Sequence, residues 1–294
     1  MNQFNIKGTG VAIITPFDKQ GNVDFPALSK LINHIIDGGV DYIVCLGTTS
    51  EYPTLTEKEQ LAVKDFTIEA VDKRVPIVIG LGGNNTRELV AKISKYNFDG
   101  ISAILSVSPY YNKPTQKGLY NHFRMVASSA PLPVIIYNVP GRTGSNISAE
   151  TTITLAKDVP NIIGIKEASG NMIQCLEILR QKPKGFELVS GEDALTLPLI
   201  ACGAKGVISV TANAFPKKVS EMVNFALKDN CKKAAVINNE LLPFTNAIFE
   251  EGNPGGIKAA LDIMGICKNE VRMPLANVSK KLYNKIQTII SEIK

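Results

Sequence analysis

A lysine that closes an apolar run, Ile162-Ile163-Gly164-Ile165-Lys166, is the residue of this chain best suited to covalent chemistry. At the end of a buried strand its charged form is disfavoured, and the neutral amine is the nucleophile that condenses with a carbonyl compound to a Schiff base. A lysine in that place can equally pack its stem and carry its head to solvent. Upstream, Ile136-Tyr137-Asn138-Val139-Pro140-Gly141-Arg142-Thr143-Gly144 offers a phenol for proton relay and, in the following loop, a guanidinium whose planar fork suits a substrate carboxylate. The plainer roles are a packed core tyrosine and a surface arginine. Leu46-Gly47-Thr48-Thr49-Ser50-Glu51 is a small polar turn whose N–H groups and hydroxyls can cradle an anion, or simply lead from strand to helix. Pro109-Tyr110-Tyr111-Asn112-Lys113-Pro114 sets two tyrosines beside prolines, suited to a subunit contact, to reaching the site, or to bracing the loop.

Other chemistries find little to work with. The 294 residues include two histidines, His34 and His122, which disfavours most zinc hydrolases and any His-centred triad. Cys45, Cys175, Cys202, Cys231 and Cys267 are widely spaced and form no C-x-x-C pair. They read as reduced, mostly buried thiols of a cytosolic protein, and neither a metal nor a cofactor is expected. The N-terminus is polar and the first apolar run, Val11 to Ile14, is short, so no signal peptide and no membrane span are expected. With 45% hydrophobic and 20% charged residues the chain can bury a sizeable core. The net charge of +5 shows itself in isolated pairs such as Lys217-Lys218, Lys232-Lys233 and Lys280-Lys281, without interleaved aromatic residues. Those read as solvated helix faces, and no nucleic-acid partner is expected.

The elements that must position the candidates repeat. Short β-branched runs, at Val11–Thr15, Tyr42–Leu46, Pro76–Gly80, Ile101–Val107, Val134–Asn138, Ile162–Lys166, Glu187–Ser190 and Gly206–Val210, are each followed by a helical stretch long enough for a right-handed crossover. Between the first two, Leu28, Leu31, Ile32, Ile35 and Ile36 form one apolar stripe, with Asp24 as N-cap and Gly38-Gly39 as the stop. Thr56 and Glu59 form a capping box, and Asn85 with Glu88 repeats the idea. The runs are almost continuously apolar, as parallel strands covered on both faces must be. On the last of these before the lysine, Ile163 and Ile165 are expected on one face and Gly164 and Lys166 on the other. Eight units predict a (β/α)8 TIM barrel over residues 1–214. An open doubly wound sheet is the alternative, but Gly80, Gly82 and Gly83 lack the last glycine of a dinucleotide fingerprint, and Gly8 and Gly10 precede their expected strand. Residues 215–294 read as a C-terminal helical domain, punctuated by Pro243, Pro254 and Pro274. Every candidate residue named above then lies at or just beyond a C-terminal strand end, where a barrel of this kind builds its active site.

Taken in order, Gly47-Thr48-Thr49-Ser50-Glu51, Ser108 to Pro114, Tyr137 to Gly144, Ile163-Gly164-Ile165-Lys166-Glu167-Ala168 and Gly206-Val207-Ile208-Ser209-Val210 closely resemble the motifs of the dihydrodipicolinate synthase family of pyruvate-dependent Schiff-base aldolases. The resemblance spans nearly the whole chain. It implies that Lys166 condenses with pyruvate, that the resulting enamine attacks aspartate semialdehyde, and that cyclisation gives the precursor of diaminopimelate and lysine. It further implies a proton relay of Tyr137, Thr48 and Tyr111, the last supplied by the neighbouring subunit of a homodimer or a tetrameric dimer of dimers. Thr48 and Thr49 would hold the pyruvate carboxylate and Arg142 that of the semialdehyde, while the backbone at Gly191 and Ile208 shapes the pocket.

Departures from the family pattern are specific. Ser50 stands where glycine is usual, and Gly256 replaces a proline, which is expected to loosen its loop. Asn84, Glu88 and Tyr110 match the positions at which lysine-inhibited members bind lysine, but Glu57 and Gln60 stand where those members have histidines. Weak or absent lysine feedback is therefore expected. Sister aldolases acting on N-acetylneuraminate or 2-keto-3-deoxy sugar acids would share Lys166 and Tyr137; Arg142 argues against the sialate lyases, which carry an apolar residue there. A catalytically silent keto-acid sensor is a further alternative, disfavoured by the joint presence of Lys166, Tyr137, Thr48 and Tyr111.

Overall fold

The computed structural model describes residues 4–293; residues 1–3 and 294, assigned above to the barrel and the tail, lie outside the described residues. Eight parallel strands close into a barrel in sequence order: β1 Gly8–Ala12, β2 Tyr42–Cys45, β3 Ile77–Gly80, β4 Ala103–Val107, β5 Val134–Asn138, β6 Ile162–Glu167, β7 Glu187–Ser190 and β8 Gly206–Ser209. The helices are α1 Phe25–Asp37, α2 Glu57–Val71, α3 Thr86–Lys95, α4 Gln116–Ser129, α5 Pro140–Thr143, α6 Ala149–Asp158, α7 Met172–Gln181, α8 Thr196–Ala201, α9 Pro216–Leu227, α10 Cys231–Phe249, α11 Gly255–Ile263 and α12 Lys280–Glu292.

Local chemistry sets the helix starts. Asp24 accepts the Ala27 N–H at the head of α1. Thr56 and Glu59 cap each other's backbone at α2, and Asn85 accepts the Glu88 N–H at α3. The core has two layers. One fills the space between strands and helices, and the other fills the barrel interior, with Tyr42, Val44, Val78, Leu105, Tyr137 and Ile208 among its members.

Four readings need correction. β1 begins at Gly8, three residues before the expected Val11, so Gly8 and Gly10 lie in the strand and not ahead of it. The reason is close packing across the β1 seams: a Cβ on Gly10 would stand 2.1 Å from the Tyr42 ring, and one on Gly206, the partner of Gly8, would stand 1.9 Å from the Gly8 carbonyl oxygen. In β6, Ile163 and Ile165 do not share a face. The β5–β6 register jumps from Val134↔Ile162 to Ile135↔Gly164, and this bulge sends Ile163 into the barrel interior while Ile165 joins the outer layer. Gly164 and Lys166 keep their expected common face. Pro243, expected to interrupt the tail, lies inside α10. Both Pro243 and Asn239, whose carbonyl loses its helical donor, are exposed, so solvent can satisfy that carbonyl.

The helical layer also runs past residue 214. α9 packs against β1, β8 and α1, completing the ring around the strands; α10 packs on α9, and α10, α11 and α12 pack on one another. Gly256 sits within α11, not in a loosened loop. A Cβ there would stand 2.1 Å from the Ile248 carbonyl oxygen, so the missing side chain permits close approach of α10 and α11.

Among the thiols, Cys45, Cys175 and Cys267 are buried and Cys202 and Cys231 are exposed. Burial pushes Cys45 up to about 11 and Cys175 and Cys267 up to about 12. His34 serves structure, its Nε2 lying 3.0 Å from the Ala214 carbonyl oxygen. His122 is buried on α4 with Nδ1 2.8 Å from Thr86 Oγ1. Burial pushes its pKa from 6.5 down to about 4. The unfolded chain takes up this proton first, so the stability contributed by neutral His122 is complete above pH 6.5 and declines as pH falls toward 4, by about 3 kcal/mol. Urea titrations at pH 7 and pH 4 should show a smaller acid-induced loss in His122→Gln than in the parent chain, and equal losses would refute this account.

Candidate active site

The site is assembled from C-terminal strand ends. β2 leads into one turn of 3-10 helix, Thr48–Ser50. β5 ends with Tyr137-Asn138 and passes directly into the single turn α5, whose Arg142 faces the barrel mouth. β6 carries Lys166 beside Tyr137 in register. The two side chains meet inside the barrel: the Lys166 ammonium lies 4.4 Å from the centre of the Tyr137 ring. Lys166 is 5% exposed and Tyr137 6%. Burial leaves no snorkelling lysine: Tyr137 packs in the barrel interior, and its ring meets the Lys166 head at the C-terminal end of the strands.

A cavity of about 330 Å³ opens at this end of the barrel, walled in part by Thr48, Tyr110, Tyr137 and Arg142; Lys166 adjoins it through the Tyr137 ring and does not itself line the wall. Thr49 is buried at its edge and accepts a hydrogen bond from Asn253 Nδ2 at 3.0 Å. Gly191 sits where β6 and β7 ends nearly touch. A Cβ there would stand 2.5 Å from that of Ala168, and the Gly191 N–H donates to the Glu167 carbonyl at 2.7 Å. Ile208 fills the barrel interior below. Ser50 fits its turn without strain, its hydroxyl donating to the Gly47 carbonyl at 2.6 Å.

Tyr111 is the exception. It is 89% exposed, adopts φ +72°, and lies outside the wall of its own chain's cavity. Its loop is pinned from both sides, since Asn112 Nδ2 donates to the Asn84 carbonyl at 2.9 Å and Asn84 Nδ2 to the Tyr110 carbonyl at 3.2 Å. Its ring thus projects into solvent from a left-handed, non-glycine backbone that is held on both sides.

Of the possible effector positions, Asn84 and Tyr110 are joined by that bond, and Glu88 lies in the first turn of α3. Gln60, in α2, accepts a hydrogen bond from the chain's own Lys92 Nζ at 3.0 Å, and Lys92 also donates to Tyr52 Oη at 3.0 Å.

Asn253 was not singled out by sequence reasoning. Besides its bond to Thr49, its carbonyl accepts from Arg142 Nη2 at 3.3 Å, and its Oδ1 is buried without a partner among the described residues. Pro254, Pro274 and Leu275 of the C-terminal region stand with it in the cavity wall. The only local signal was the segment Asn253-Pro254-Gly255-Gly256 itself, rich in turn formers and far from any strand end.

Comparison with known proteins agrees with this geometry. The model of the Dihydrodipicolinate synthetase family matches residues 5–293. The 4-hydroxy-tetrahydrodipicolinate synthase of Flavobacterium psychrophilum is 46% identical over 286 residues, covering 97% of this chain and 98% of the relative. That of Bacillus subtilis is 40% identical over 289 residues, 98% of this chain and 100% of the relative. Among solved structures, dihydrodipicolinate synthase from Aquifex aeolicus superposes with a TM-score of 0.94 at 41% identity, covering 98% of each chain. The enzyme from Cyanidioschyzon merolae, solved with lysine bound, gives 0.93 at 36% identity, again with 98% of each chain covered. A lysine and tyrosine packed together in a barrel, beneath a cavity that also holds a threonine turn and an arginine, thus come with full-length similarity, and the chain belongs to the dihydrodipicolinate synthetase family.

Proposed function

We propose that this chain is a lyase that condenses pyruvate with L-aspartate 4-semialdehyde, the reaction of a 4-hydroxy-tetrahydrodipicolinate synthase in diaminopimelate and lysine biosynthesis. The observation that carries this reading is the buried contact between Lys166 and Tyr137 below a cavity holding Thr48 and Arg142. The Lys166 amine adds to the keto carbon of pyruvate, and loss of water leaves an iminium. Removal of a proton from the adjacent methyl group gives the enamine, whose carbon attacks the aldehyde of the semialdehyde. The semialdehyde amine then displaces Lys166 from the former keto carbon, closing the ring and freeing the enzyme. Each step moves a proton, which is the work of Tyr137 and Thr48. Thr48 and Thr49 hold the pyruvate carboxylate by hydroxyl and backbone N–H donors, and Arg142 takes the carboxylate of the second substrate by its fork. Gly191 and Ile208 set the depth of the pocket.

The exposed, rigidly held Tyr111 supports a homodimer, alone or paired into a tetramer, in which each subunit lends this phenol to its neighbour's relay. The substrates are small molecules, and no helix among the described residues is long and apolar enough to cross a membrane. A cytoplasmic place agrees with the unpaired cysteines. Borohydride reduction in the presence of pyruvate tests the covalent step: a reduced pyruvyl adduct confined to Lys166 is expected, and a fully active preparation that gives none would sink the mechanism. A coupled assay offering aspartate semialdehyde and N-acetylneuraminate to one preparation separates this activity from the sister aldolases.

Feedback by lysine is expected to be weak or absent. Gln60 is already engaged by the Lys92 ammonium, and neither Glu57 nor Gln60 reproduces the histidines of inhibited members. Rates measured across a lysine titration should stay level through the micromolar range, and half-inhibition there would contradict the reading.

A further inference from the structure

The turn that carries Thr48 and Thr49 is bracketed by two left-handed residues that are not glycine, Leu46 at φ 55° and Glu51 at φ 56°. Such backbone persists only where its surroundings over-determine it. At Glu51 the surroundings are ionic. Its Oε1 lies 2.5 Å from Lys258 Nζ, with both side chains 0% exposed, and its Oε2 accepts the Arg272 backbone N–H at 2.9 Å. Lys258 also donates to the Glu270 carbonyl at 2.8 Å and stands 4.0 Å from the centre of the Phe17 ring. The Arg272 guanidinium covers the same ring at 4.4 Å and forks onto Glu59 at 2.5 and 3.0 Å. Burying two charges of this kind costs more than apolar packing of equal volume would, so stability alone gives little reason for the pair.

Its position supplies one. Lys258 lies in α11, and Asn253, just ahead of that helix, holds the Thr49 hydroxyl. One C-terminal element thus grips the turn at two points, the second of them the residue that follows the turn. We propose that Glu51, clamped by Lys258 and Arg272, is a positioning residue that fixes Thr48 and Thr49 in the geometry that binds the keto-acid carboxylate. The inference rests on the Schiff-base reading above and adds a function for charges that take no part in the chemistry.

The test titrates pyruvate in borohydride trapping on Lys166 and follows thermal unfolding of the same proteins. Failure of the parent chain to trap pyruvate overturns the Schiff-base reading, and this inference with it. Given trapping, Glu51→Gln and Lys258→Met should each raise the half-saturating pyruvate concentration about tenfold and lower Tm. The double variant Glu51→Gln/Lys258→Met leaves no unpaired charge, so its Tm should recover most of the loss while half-saturation stays raised. Glu51→Asp keeps the charge but withdraws it by one methylene, and should remain folded with half-saturation raised several-fold. Recovery of binding together with Tm in the double variant, or unchanged half-saturation in a folded Glu51→Asp protein, would overturn the assignment and leave the pair a purely structural one.

Discussion

Replacing Lys166 by alanine should lower kcat on the order of 10⁴-fold or more, since the covalent path is lost with its nucleophile. The fold should survive. Truncation removes a buried ammonium that has a ring contact with Tyr137 but no ion pair in the described structure. Lys166→Arg is the sharper variant, because it keeps positive charge and length but offers no amine able to form a neutral nucleophile near pH 7. Both should fail to trap pyruvate under borohydride. Retention of more than a hundredth of the parent rate in either would mean that the condensation does not run through this side chain.

The second large effect belongs to Arg142. In Arg142→Ala, kcat/KM for aspartate semialdehyde should fall about 10²-fold, the loss expected when a bidentate carboxylate partner is removed. The pyruvate concentration that half-saturates trapping on Lys166 should change little, because among the described residues the guanidinium makes one long hydrogen bond, to the Asn253 carbonyl at 3.3 Å, and no contact with Lys166. Equal losses in both measurements would show that Arg142 supports the whole cavity and does not select the second substrate.

Much of this was readable along the chain because the barrel is built from local units. A buried parallel strand must be apolar on both faces, a crossover helix must show a stripe, and the helix starts need caps. These rules place Tyr137, Lys166 and Thr48 at one end without any knowledge of contacts. What they miss depends on residues far apart. The start of β1 turns on the fit of Gly10 against Tyr42 and of Gly206 against Gly8, which no periodicity reveals. The bulge at Ile163 is a mismatch with β5, invisible in β6 alone. Asn253 reaches Thr49 across 204 residues and Lys258 reaches Glu51 across a similar span. Neither pairing shows along the chain, since a helical tail carries no local mark of the loop it will hold.

The same long reach bears on how the protein comes into being. A chain emerging from its N-terminus holds all eight strands, and with them Lys166 and Tyr137, once Ser209 has formed. It still lacks the residues that grip the threonine turn and those that close the cavity wall, the last of which, Leu275, follows Ser209 by 66 residues. Until that segment docks, the lysine stands in a barrel whose mouth is open on one side and whose anion cradle is unsupported. Docking of that C-terminal segment, more than closure of the barrel, is then what completes the wall and the support of the threonine turn.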